Sequence, residues 1–138
     1  YILYVGNAYP HKNLEKFIKS FKLLKNKDPI PYFILVGKLD YFYRRLKKYV
    51  KELKLESRVR FLGYVSDEEL KFLYQNAEIY VFPSLIEGFG LPPLEAMSQG
   101  LPVLSSQLPG PTRQAKAASL SSQSPTRFLE SRDCAGVF

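Results

Sequence analysis

The amino-acid sequence predicts an α/β fold, a parallel sheet flanked by helices. Three observations carry that reading. Five short runs, "YILYVG", "YFILVG", "RVRFLG", "EIYVFP" and "LPVLSS", are rich in β-branched and aromatic residues. The first is too continuously apolar for a strand with one wet face, so it reads as buried on both sides, and the second likewise reads as a buried strand. Between the five runs lie segments whose apolar residues recur at helical spacing, and strands alternating with helices of that length build parallel sheets.

In chain order, "YILYVG" is the first strand and "NAYPHKN" the turn after it. Leu14, Phe17, Ile18, Phe21 and Leu24 then mark a helix, with Asn13 as its cap. Asp28-Pro29 ends that helix, and "YFILVG" is the second strand. The next helix carries Arg44, Arg45, Lys47, Lys48, Lys51 and Lys54, interleaved with Phe42, Leu46, Tyr49, Val50 and Leu53. That is one basic face and one buried face. After the third strand, Ser66 to Glu69 reads S-x-x-E, a capping box, ahead of a short helix with Leu70, Leu73 and Tyr74. The fourth strand leads to Pro92-Pro93, which suit a first helical turn; Gly100 closes that helix, and the fifth strand follows. No internal repeat is visible.

Composition sets the bounds. A chain of 138 residues, 46% hydrophobic with ten Phe and ten Tyr, suffices for one domain with a solid core. Its net charge of +7 suits an anionic partner: nucleic acid, a membrane surface or a phosphorylated small molecule. The basic helix is first of all a solvated surface, and it leaves peripheral contact with acidic lipid open. Nucleic acid is disfavoured, because the aromatic residues of that helix fall at its buried spacing. One cysteine, Cys134, cannot form an internal disulfide, which suits a reducing, cytoplasmic compartment. No apolar run approaches the roughly 20 residues of a membrane span, and no signal-like segment is present. The chain begins on a strand without Met, so upstream sequence is expected.

Right-handed crossovers place every strand-to-helix loop at one edge of the sheet, where ligands of such folds bind. Five loops therefore matter, those after Gly6, Gly37, Gly63, Pro83 and Ser105. The first holds His11 and Lys12 before a helix N-terminus, where free N–H groups and the dipole favour an anion. A lysine there is electrostatically unfavourable unless something negative sits nearby. A lone histidine in a turn is the weaker candidate. The fourth loop reads "EGFGLPPLE", residues 87 to 95. Glu87 precedes Gly88-Phe89-Gly90, and Glu95 is expected in the first turn of the helix, where the dipole stabilises an acid by about 0.3–1 kcal/mol. The glycines admit close approach of backbone N–H groups to a ligand. Carboxylates that accept from sugar hydroxyls, beside N–H groups that serve phosphates, suit a polyhydroxylated, phosphorylated molecule. There is no G-x-G-x-x-G after the first strand, no P-loop, and no His/Cys/Asp cluster at metal-ligand spacing.

"EGFGLPPLE", preceded by "VFPS" and followed by "AMSQGLPV", resembles the signature of retaining GT-B glycosyltransferases of the GT4 family. "YVGNAYPHKNLEKFI", "LVGK" and "RVRFLGYVSDEELKFLYQNAEIYVFPS" resemble the same family's preceding segments, in order, so the likeness covers residues 1 to about 106. It implies the Rossmann-like, nucleotide-sugar-binding C-terminal half of a two-domain enzyme that transfers a sugar with retention and needs no metal or other cofactor. By position, Lys12 would grip the donor diphosphate, Glu95 the ribose hydroxyls and Glu87 those of the transferred sugar, Lys12 and Glu87 being the catalytic candidates. Gly88, Phe89, Gly90 and Leu91 would contact sugar and phosphate, while Gly63-Tyr64-Val65 would border the base. The acceptor stays open between sugar, lipid and protein. The alternative is a non-catalytic α/β module that binds a nucleotide or phosphate at the same edge.

Three departures stand out. Asn7 occupies a place where many relatives carry arginine. The family's N-terminal domain is expected to be missing, so the chain alone is expected to lack turnover. Residues 107–138 form an atypical tail, read either as disordered or as a reading-frame slip near Gln107. The domain is thus expected to be incomplete at its C-terminal end. Pro102 to Ser105 would then form an unprotected edge, with marginal stability as the result.

Overall fold

Alternate residues of each strand face opposite layers, and along the central strands of this protein both layers are apolar, while Arg60 and Leu62 at one edge of the sheet are exposed. A computed structural model describes residues 1–26, 31–86, 91–106 and 128–130. The elements are β1 (Ile2–Val5), α1 (Leu14–Phe21), β2 (Phe33–Val36), α2 (Tyr41–Glu52), β3 (Val59–Gly63), α3 (Asp67–Asn76), β4 (Ile79–Phe82), α4 (Leu91–Ser98), β5 (Val103–Ser105) and β6 (Phe128–Glu130). Short 3-10 turns cover Pro10–Lys12 and Lys22–Asn26. All the strand pairs are parallel, in the order β3-β2-β1-β4-β5-β6.

Two cores follow from the period of two. Tyr4, Leu35, Val81 and Leu104 point to one face, where Leu14, Phe17 and Ile18 of α1 and Tyr43, Leu46 and Val50 of α2 cover them. Leu3, Val36, Tyr80, Phe82 and Val103 point to the other, beneath Tyr74 of α3 and Ala96 of α4. Burying a large apolar side chain contributes about 1.5–3 kcal/mol, and both layers draw on it. The sequence-predicted sheet flanked by helices is therefore observed.

Local signals differ in how they were realised. Ser66 and Glu69 form a complete capping box: Ser66 Oγ accepts from Glu69 N–H at 3.3 Å, and Glu69 Oε2 accepts from Ser66 N–H at 2.7 Å. Asn13 stands at the cap position of α1, but its side chain makes no capping bond; it supplies a left-handed backbone, φ 56°. Asparagine tolerates that conformation better than most residues. Helix α2 is capped by Asp40, whose carboxylate accepts from Tyr43 N–H at 3.0 Å. Leu24 falls in the 3-10 turn after α1 rather than in the helix, and Asp28-Pro29 lies outside the described residues.

The expected bare edge at Pro102 to Ser105 is not observed. Strand β6 pairs along it, with Val103 opposite Phe128, Leu104 opposite Leu129 and Ser105 opposite Glu130. A Phe-Leu-Glu triplet among serines and arginines has no period to announce it, which is why a sixth strand was missed. The reading-frame question falls mostly on residues outside the described ones.

Candidate functional site

Parallel strands put β1 to β5 with their C-terminal ends at one edge, and the strand order reverses direction between β1 and β4. In open α/β sheets that reversal opens the ligand crevice. The ladders show it opening: β1 pairs with β2 as far as Val5 opposite Val36, but with β4 only as far as Leu3 opposite Tyr80. Beyond Leu3 the two central strands part.

The Lys12 loop borders this gap on one side. Its base is held by three tyrosine hydroxyls that donate to three successive carbonyls. Tyr80 reaches Val5 at 3.1 Å, Tyr43 reaches Gly6 at 2.8 Å, and Tyr4 reaches Asn7 at 2.7 Å. Asn7, in the place where arginine was expected by resemblance, thus offers its carbonyl to Tyr4, and its Oδ1 accepts from Tyr9 N–H at 3.4 Å. Burial pushes the phenols of Tyr43 and Tyr80 well above their ordinary range, Asp40 adding to the effect at Tyr43. Both therefore stay protonated, as donors. Lys12 closes the 3-10 turn, half-buried, just before α1.

The loop after β4 borders the other side. Leu85 N–H donates to the His11 carbonyl at 2.8 Å, which ties the two loops together next to Lys12. Ser84 is fully buried, its carbonyl accepts from Ser106 Oγ–H, and its own hydroxyl has no partner among the described residues. Glu87, Gly88, Phe89 and Gly90 lie outside the described residues. Leu91, where α4 begins, is 60% exposed.

Glu95 is the fifth residue of α4, not part of its first turn, which has no acid. The helix dipole is weaker there, so another group must account for its setting. Tyr74 does: its hydroxyl donates to Glu95 Oε2 at 3.2 Å from the facing helix α3. Both residues line an open cleft of about 380 Å³ with Asp67, Leu70, Lys71, Ser98 and Gln99. Val65 does not join this cleft. It lines another, of about 410 Å³, with Leu62, Glu68, Glu69, Phe72 and Leu73, while Tyr64 beside it is almost fully exposed. The structure thus brings the Lys12 loop to the strand preceding Glu87 and sets Glu95 across α3 from Val65. Tyr74, Tyr80 and Ser84 were missed as site residues, because a tyrosine at buried spacing looks like core and a lone serine signals nothing.

The chain shows clear likenesses to known proteins. A family model described as glycosyl transferases group 1 matches residues 1–129. An O-antigen chain mannosyltransferase, RfbU of Salmonella typhimurium, is 44% identical over 109 residues, which is 79% of this chain and 30% of that protein. Sucrose-phosphate synthase from Thermosynechococcus elongatus superposes with a TM-score of 0.72 at 33% identity, covering 81% of this chain and 29% of that one. Anabaena HepE in complex with UDP and glucose superposes with a TM-score of 0.68 at 26% identity, over 81% and 30%. The chain thus spans less than a third of the length of each of these three relatives.

Proposed function

The chain belongs to the group 1 glycosyl transferases, and from that premise we propose that it is the donor-binding part of an enzyme that moves a sugar from a nucleoside diphosphate to an acceptor with retention. The observation that carries the reading is the joined pair of loops at the sheet's reversal point. The Leu85-to-His11 bond brings the turn ending at Lys12 beside the strand end that leads into Glu87. A cation at a helix start and a carboxylate-bearing glycine loop are what the two ends of a phosphorylated sugar require.

In this reading Lys12 and the N-terminus of α1 stabilise the diphosphate as it leaves, so the charge that develops meets fixed donors. Gly88, Phe89, Gly90 and Leu91 meet the sugar and phosphate, Glu87 the hydroxyls of the transferred sugar, and Glu95 those of the ribose. Val65 borders the base. No resident metal or cofactor is required, since Lys12 and backbone N–H groups supply the positive field. The acceptor, together with the remaining wall of the cleft, belongs to a further domain such as the longer relatives have room for. Catalytic turnover by these 138 residues alone is accordingly not expected.

The test is thermal-shift titration with UDP, GDP and ADP sugars, run beside Glu95→Ala. Stabilisation by one nucleotide that is lost in the variant supports the assignment. Equal shifts in both proteins refute the ribose role of Glu95, and robust sugar transfer by the chain alone refutes the need for a further domain.

A further inference from the structure

We infer that Tyr74 is a positioning residue for nucleotide recognition: its hydroxyl holds the Glu95 carboxylate in the setting that reads ribose hydroxyls. The inference rests on the donor-binding reading given above. Glu95 sits past the first turn of α4, so the helix end does not orient it. Among the described residues the single group that donates to its side chain is the Tyr74 hydroxyl, at 3.2 Å on Oε2. That bond occupies one oxygen and leaves the other to a ligand. A carboxylate on three rotatable bonds, otherwise unheld, would have to be ordered by the ligand at the moment of binding, at a cost in affinity.

Tyr74 is itself firmly held. It is 4% exposed, and its ring lies 6.0 Å from that of Tyr80, tilted by 51°. Tyr80 is fully buried and donates to the Val5 carbonyl, where β1 and β4 part. A line of contacts therefore runs from the carboxylate on α4, through two aromatic side chains in tilted contact, to the strand end that launches the Lys12 loop. Burial first, and the Glu95 charge second, push the Tyr74 phenol well above its usual range, so the hydroxyl remains a donor at any working pH.

The distinguishing readout is the ratio of affinities for ribo- and 2′-deoxyribonucleotides. UDP and GDP are titrated calorimetrically against dUDP and dGDP in the unaltered chain, Tyr74→Phe, Tyr80→Phe and Glu95→Ala. A charge-assisted bond to a sugar hydroxyl sets a preference for the ribonucleotide of about tenfold. Glu95→Ala is expected to abolish that preference, and Tyr74→Phe to reduce it to about threefold or less with the ring's packing kept. Tyr80→Phe is expected to preserve it, because it leaves the carboxylate's partner in place. If Tyr74→Phe keeps the full preference while Glu95→Ala loses it, the positioning role is overturned and the ribose reading stands. If Glu95→Ala also keeps the preference, or no nucleotide binds, the ribose reading itself fails and this inference with it. A loss that affects both nucleotides equally in Tyr74→Phe marks a structural role only and refutes the inference.

Discussion

Gly37→Ala tests whether the crevice edge is built as described. Gly37 follows β2, and a Cβ added there would lie 2.0 Å from the Gly6 carbonyl oxygen and 2.7 Å from the Tyr43 hydroxyl. A carbon cannot approach backbone oxygen that closely; a separation of at least 3.0 Å is needed, so β1 and β2 must part by about 1 Å at their ends. Forcing such a shift in a packed interior costs about 1–3 kcal/mol. The hydrogen bond from Tyr43 to Gly6, drawn off by the same movement, is worth about 0.5–1.5 kcal/mol. Against this, removing a glycine restrains the unfolded chain by about 0.4–1 kcal/mol. The net expectation is a loss of roughly 2–3 kcal/mol, most of it steric. Urea denaturation measures it, and Gly100→Ala is the control. Gly100 has φ +77° with nothing within 4 Å of an added Cβ, so its replacement carries a conformational cost of about 1–2 kcal/mol and no clash. With slopes of about 1–3 kcal/mol/M, Gly37→Ala should unfold at a visibly lower urea midpoint than Gly100→Ala. A midpoint for Gly37→Ala equal to or above that of the control would refute the close approach of the two strand ends.

Two more expectations concern solution stability. Ser66→Ala removes the side-chain half of the reciprocal cap of α3 and should cost about 1 kcal/mol in denaturant unfolding, with Ser66→Asp nearly harmless. The bonds from Ser66, backbone first and side chain second, hold the Glu69 carboxyl below its ordinary 4.5. Its contribution is therefore present above that value and lost as pH falls through the lowered one, a loss that Ser66→Ala should lessen but not abolish in an acid titration, because the backbone N–H at position 66 remains. At the alkaline end the sign is opposite: Tyr43, Tyr74 and Tyr80 all have phenols raised above their ordinary 10.0, principally by burial. Stability from them should be complete below pH 10 and fall above it, as the unfolded chain ionises first. Phenolate absorbance from these three residues, identified by its loss in Tyr43→Phe, Tyr74→Phe or Tyr80→Phe, that rises before the fold is lost would contradict this burial.

Much of the sheet could be read from the chain, because strands buried on both faces leave continuous apolar runs and the box at Ser66 leaves a paired signal four residues long. Features made by geometry between distant segments could not. Asn13 was readable as a cap residue, yet it contributes backbone conformation, which the same side chain also suits. Glu95 was readable as an acid near a helix start, but the helix begins one residue earlier than the prolines suggest, and Tyr74 decides its setting from 21 positions away. The Lys12 and Glu95 sites were legible as residue types. The hydroxyls that fix their surroundings were hidden inside aromatic positions that any core would use, and β6 was hidden by its own brevity.

The parting of β1 from β4 has a consequence for how such a crevice can change. On one side the ladder of β1 runs to Val5, on the other it stops at Leu3, a difference of two residues. At about 3.3 Å per residue, the notch is roughly 7 Å deep. Its depth is therefore counted in whole residues, and each step of one would also turn the bordering side chain to the opposite layer. Only even steps keep the residue at the edge of the notch on the layer that Tyr80 faces, so the notch has a parity as well as a depth. Sequences that share this scaffold can deepen or fill it in increments of two residues without redrawing either core.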